Sequence, residues 1–177
     1  MIRFRANRKL LNKKKWSEHT IPVYDEAHYK KALAELDKKT PFKLVYNEPV
    51  KNYLRAYTVT HKEKVAVMLG LAELYFPLFE ELLDRYELPM ELKYLAVVES
   101  ALNPTARSTS GATGLWQFMY RTGKIYNLNS TSYIDERSDP YKATQAACEY
   151  FRFLYEMFGD WELSSCFTTR WCHGTCK

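Results

Sequence analysis

The sequence predicts a mostly α-helical fold, with short helices packed around a groove. Three observations carry that prediction. Apolar side chains recur at three- and four-residue steps over residues 65–86 and again over 143–158. Prolines, glycines and Asn/Asp/Ser clusters divide the chain at intervals that suit short helices. No segment shows the apolar–polar alternation of a strand, and no internal repeat is present. With 46% apolar and 15% aromatic residues in 177 positions, the chain can fill one sizeable core.

Taken in order, residues 1–45 are charged and weakly periodic and read as a basic, weakly ordered N-terminal arm. Within it, "DEAHYKKALAELDKK" can form one amphipathic helix carrying Ala27, Leu33 and Leu36, ended by Pro41. Residues 46–163 form the main domain. There Val65, Met68, Leu69, Ala72, Tyr75, Phe76, Phe79, Leu82, Leu83 and Tyr86 make one stripe, and Pro77 within it predicts a kink or a new helix. A short helix is expected from Pro89 to about Ala101, with Leu92, Leu95 and Val98 on one side. "NPTARSTSGATG" is turn chemistry, and "GLWQFMYRTGKIY" reads as another short helix. After an ordered loop, "NSTSYIDERSDPY", Pro140 opens the clearest helix, with Ala143, Ala147, Tyr150, Phe151, Leu154 and Phe158 along one face. Gly159 suits its C-cap, and Asp160 suits the N-cap of a further helix starting at "DWEL". Residues 164–177 form an atypical tail.

The net charge of +5 is too small to name a polyanionic partner. Much of the excess lies in Arg3, Arg5, Arg8, Lys9, Lys13, Lys14 and Lys15, a run that reads as a solvated start and not as a nucleic-acid patch. No apolar stretch reaches the ~18–20 residues of a membrane span, and the basic start does not lead into the apolar region of a signal peptide. Cys148 falls on the apolar stripe. Cys166, Cys172 and Cys176 lack the second ligand pair that a zinc site requires, so no metal is expected. His19, His28, His61 and His173 are scattered, with no nucleophile nearby in sequence, and no phosphate-binding or dinucleotide glycine fingerprint occurs.

Glu99 is the candidate for chemistry. It ends an apolar run, beside Leu95, Val97 and Val98, where an unpaired charge is costly. Apolar walls push a carboxyl's pKa up, which keeps a general acid protonated near neutral pH. A helix-end glutamate making a cap or a salt bridge fits the same pattern. The following "SGATGLWQF" offers small residues, an aromatic surface and one amide: a sugar ring could stack on Trp116 while Gln117 bonds an N-acetyl or hydroxyl group. The same Trp–Gln pair suits a core equally well. The acids and arginine of "IDERSDP" read as a salt-bridge network that holds their loop.

"LPMELKYLAVVESALNPTARSTSGATGLWQFMYRTGKIYNL", then "DERSDPYKATQAACEYF" and "FGDWEL", closely resembles lytic murein transglycosylases of the soluble-lytic-transglycosylase (SLT) type. The resemblance covers residues 88–163 and extends more loosely back to about Asn47. It implies a lysozyme-like helical fold, related to goose-type lysozyme, behind an N-terminal helical arm. It also implies cleavage of the β-1,4 bond between N-acetylmuramic acid and N-acetylglucosamine in peptidoglycan, with one glutamate and no cofactor. The Glu-Ser motif matches Glu99 and Ser100, the acid/base and a residue that orients it. Ser108, Gln117 and Met119 would line the sugar groove, with Trp116 and Phe118 alongside. Glu136 and Arg137 match a loop motif that supports the site. The implied partners are peptidoglycan glycan strands, met by a monomer at the periplasm or cell envelope, with peripheral envelope association and no nucleic acid.

The sequence departs from the family after "FGDWEL". Where the family carries an Ala-Tyr-Asn-x-Gly motif, this chain reads "SSCFTTRWCHGTCK". That segment predicts a truncated or frameshifted gene product, since codons for Phe-Thr-Thr-Arg can encode Tyr-Asn-Ala in a shifted frame. A hydrolytic muramidase and an inactive remnant that at most binds glycan are the alternative readings.

Overall fold

The computed structural model describes residues 24–172, with side chains described as far as Cys166. The basic run from Arg3 to Lys15, His19, His173, Cys176 and the Cys172 side chain lie outside the described residues.

The first helix, α1 (Glu26–Asp37), starts where the Asp25 side chain accepts the His28 N–H at 2.9 Å. The second, α2 (Glu48–Arg55), starts in the same way, with Asn47 accepting from Val50 N at 3.0 Å. It passes into a π-helical turn, Ala56–Thr60, and then into the long α3 (Lys62–Arg85). Of the kink or new helix expected at Pro77, no new helix starts there: α3 runs through it. Proline forfeits the bond to the carbonyl four residues back, but Tyr75, Phe79, Leu82 and Leu83 share one buried face across the proline, so packing carries the helix through.

A 3-10 turn, Met90–Leu92, leads into α4 (Lys93–Ser100), with Pro89 just ahead of it. Ala96 is the buried residue of α4, whereas Val98, expected inside, is 67% exposed. The helix stops abruptly at Ala101 and Leu102, which both adopt left-handed backbone (φ 51° and 60°), and Leu102 is driven fully inside. The predicted helix over "GLWQFMYRTGKIY" forms only in its second half, as α5 (Tyr120–Ile125). The first half is a tight loop. Thr113 and Phe118 exchange backbone hydrogen bonds of 3.0 Å each way, and Gln117 sits at φ 48°. A helix cannot contain that residue.

After a 3-10 turn, Glu136–Ser138, α6 (Pro140–Phe158) matches the sequence pattern closely. Asp139 caps it by accepting from Lys142 N at 2.9 Å, and Gly159 at φ 63° ends it. Asp160 accepts from Leu163 N at 2.9 Å and opens α7 (Trp161–Cys172). The core forms where α3 packs on α6, with α4 against α3 and α7 against both α6 and α4. Trp116 fills its centre, with ring centroids 5.1 Å from Phe79 and 5.6 Å from Phe151. The N-terminal elements meet this body through Phe42 and through Lys43 N, which donates to Glu162 Oε1 at 2.8 Å. Among the described residues, helices dominate, β-structure is limited to isolated bridges, and no helix is long and apolar enough to cross a membrane.

Candidate active site

Glu99 lies in the last turn of α4, and both of its carboxyl oxygens are buried. They face a pocket built from three elements and one loop. α4 supplies Leu95 and Glu99, the loop supplies Trp116 to Met119, α5 supplies Thr122, and α6 supplies Ala147, Tyr150 and Phe151. Glu99 is the one acid in that lining, among apolar side chains and the polar Gln117, Thr122 and Tyr150.

Several of the groups that hold the loop lie outside the pocket lining. The Ser100 hydroxyl lies within donating distance of Leu115 O (2.9 Å) and Ala96 O (3.0 Å), tying the end of α4 to the loop. Arg137, 4% exposed, is the hub of the region. It pairs with Asp135 through Nε (2.9 Å) and Nη2 (2.6 Å), while Nη1 donates to Gly111 O and Phe118 O at 3.0 Å each. Its guanidinium holds the Asp135 carboxyl below the usual carboxylate range. Gly114 touches the same residue: a Cβ there would lie 1.8 Å from the Arg137 carbonyl oxygen. Glu136 accepts from Asn129 N at 2.7 Å and pairs with Lys142, closing the loop network expected from "IDERSDP".

Of the residues singled out from sequence, Glu99, Gln117, Met119 and Trp116 meet at this pocket. Ser100 and Ser108 do not line it; Ser108 Oγ accepts from Ala112 N at 3.0 Å and stiffens its own turn. Trp116 corrects the stacking expectation. At 3% exposure, with its indole N–H donated to Thr144 Oγ1 at 2.9 Å, it is a core residue whose edge forms a pocket wall. Gln117 turns its amide nitrogen inward to Gly114 O (2.8 Å) and Ala106 O (3.2 Å). Sequence reasoning missed Thr122, Tyr150 and the apolar wall of α6 as site residues. Ala147, Tyr150 and Phe151 stand on the predicted α6 stripe, and a tyrosine with a polar tip on that stripe is the one available signal. Cys148 faces the core, where burial pushes its thiol up to about 12, so it stays protonated and inert.

Residues 77–166 match the family model described as the transglycosylase SLT domain. Over 118 residues the chain is 36% identical to the membrane-bound lytic murein transglycosylase D of Escherichia coli (strain K12), and equally to that of Escherichia coli O6:H1. That stretch covers 66% of this chain and 25% of each relative, so the chain spans about a quarter of their length. A protein of Alteromonas sp. (strain M-1) named for tributyltin chloride resistance is 33% identical over 79 residues, 44% of this chain and 38% of that protein. The buried acid, the loop hinged on Arg137 and the family match across α3 to α7 agree: this chain belongs to the SLT transglycosylase family, with its mostly helical, lysozyme-like domain.

Proposed function

We propose that this chain is a peptidoglycan lytic transglycosylase that cuts the β-1,4 bond between N-acetylmuramic acid and N-acetylglucosamine. Burial of both Glu99 oxygens in the pocket, within a chain of this family, carries the reading. In this reading Glu99 acts first as the acid. It gives its proton to the glycosidic oxygen as the C1–O bond breaks. The resulting carboxylate then takes the proton from the muramic C6 hydroxyl, whose oxygen bonds to C1. The product carries a 1,6-anhydro ring, no water is consumed, and Glu99 ends protonated as it began.

In this reading Gln117 and Met119 face the glycan. Trp116 walls the pocket from the core, and Ser100 and Ser108 act through the loop that they hold. The working unit is residues 46–163, acting as a monomer on glycan strands at the cell envelope. A second reading, glycan binding without turnover, draws on one observation: Ser164, Ser165 and Cys166 occupy α7 where the resemblance predicts a tyrosine-bearing motif.

Digestion of purified murein separates these readings. Wild type is expected to release anhydromuramyl ends, and Glu99→Gln is expected to release them about 10²–10⁴-fold more slowly. Reducing ends in place of anhydro ends would mean a hydrolytic muramidase. Equal background release from both proteins would end the enzyme reading.

A further inference from the structure

Thr122 lines the pocket beside Glu99 and is 6% exposed. Among the described residues its Oγ1, itself buried, has no hydrogen-bond partner. A helical threonine ordinarily returns its hydroxyl to the carbonyl four residues back, which here belongs to Phe118. That oxygen already accepts from Thr113 N and from Arg137 Nη1, each at 3.0 Å, so both its lone pairs are engaged. Thr144 on α6 shows the satisfied case: it donates to Pro140 O at 2.6 Å and accepts from Trp116 Nε1. Buried hydroxyls without partners are rare and unfavourable, which marks Thr122 as a group awaiting an occupant of the pocket.

The chemistry around the hydroxyl narrows the occupant. Leu95, Phe118, Ala147 and Phe151 present apolar surface, and alongside Glu99, Gln117 and Tyr150 the Thr122 hydroxyl supplies a further donor. An acetamido group matches both, with a methyl for the apolar wall and a carbonyl oxygen for the hydroxyl. A free amine or hydroxyl would leave that apolar wall unfilled. We propose that Thr122 selects N-acetylated hexosamines, its hydroxyl donating to the acetamido carbonyl oxygen of the sugar held beside Glu99. This rests on the reading that a glycan occupies the pocket.

The test measures binding, not turnover. In the full chain carrying Glu99→Gln, calorimetry compares an N-acetylglucosamine oligosaccharide with its de-N-acetylated counterpart, alone and with Thr122→Val or Thr122→Ser added. The acetylated ligand is expected to bind about tenfold tighter, with that preference lost in T122V and kept in T122S. The melting temperature of T122V should not fall, because no protein bond is removed. The proposal is overturned by a preference unchanged in T122V, by no preference in the parent, or by T122V melting several degrees lower. Murein digestion reports separately on the cleavage reading. Product release with a preference indifferent to Thr122 sinks this inference alone, while a Thr122-dependent preference without product release sinks cleavage alone.

Discussion

The stretch from Ala101 to Asp139 is largely irregular backbone, yet it buries Leu102, Leu115, Trp116, Gln117, Phe118, Leu128 and Arg137. The N-terminal stretch shows the reverse. α1 and α2 are regular and N-capped by Asp25 and Asn47, yet they and the π turn contain no buried residue. Helix formation there follows local signals, a cap and good helix formers. Burial follows tertiary packing, and packing is where most of a fold's stabilisation arises. The irregular loop is therefore the rigid part, as a site that must fix one carboxyl against a substrate requires. The helical arm is the loosely attached part. Each prediction below tests that inversion.

The largest effect should come from Gly114→Ala. At φ 89°, with the Arg137 carbonyl oxygen 1.8 Å from where the Cβ would lie, alanine cannot be placed without moving the loop hub. Chemical denaturation should show a loss of about 4 kcal/mol or more, or no folded protein. Gly111→Ala is the matched control. Its φ is 86° but nothing lies within 4 Å, so it should cost only the left-handed backbone penalty of about 1–2 kcal/mol. Equal losses in the two variants would mean that the loop gives way under strain and is not a rigid frame.

Arg137→Met comes next. It leaves the Gly111 and Phe118 carbonyls short of a donor and Asp135 without its cation, a loss of about 3 kcal/mol. The Asp135 ion pair also sets a pH signature. A carboxyl whose folded pKa is depressed contributes stability above its unfolded value and loses it as pH falls toward the folded one. The stability gap between wild type and Asp135→Asn should therefore be flat from pH 5 to 7 and shrink below about pH 4. A gap that widens on acidification would reverse the sign and remove Arg137 from its place at the hub.

Legibility in the sequence divides along the same line. α6 could be read because its signals are local: Asp139 and Pro140 at one end, Gly159 at the other, and an unbroken stripe between. Glu99 was visible because a carboxylate in an apolar run is chemically out of place. "GLWQF" misled because Leu115, Trp116, Phe118 and Met119 are spaced as on a helix, while their conformation is set by partners far along the chain. Ala106 and Arg137 bond this loop, and neither bond has a local signature. Thr122 and Tyr150 were missed for the same reason. They become site residues only when α5 and α6 fold onto α4.

The smallest predicted effect lies at the other pole of the comparison. Leu36 is one of the three apolar residues of the α1 pattern, with Ala27 and Leu33, yet it is 54% exposed. The ion pair on α1, Lys30–Glu26, joins side chains 57% and 46% exposed, where solvent screening leaves little net stabilisation. Leu36→Ala should then change global stability by no more than about 0.5 kcal/mol. Native-state hydrogen exchange adds the sharper contrast. The amides of Gly114 and Phe118, in an irregular loop, donate to Ala106 O (2.9 Å) and Thr113 O (3.0 Å) within the buried frame. They should exchange only on global unfolding, while the interior amides of α1 exchange by local opening far sooner. If α1 amides prove as slow as Phe118, or Leu36→Ala costs more than about 2 kcal/mol, the arm is part of the cooperative unit and the inversion between loop and helix fails.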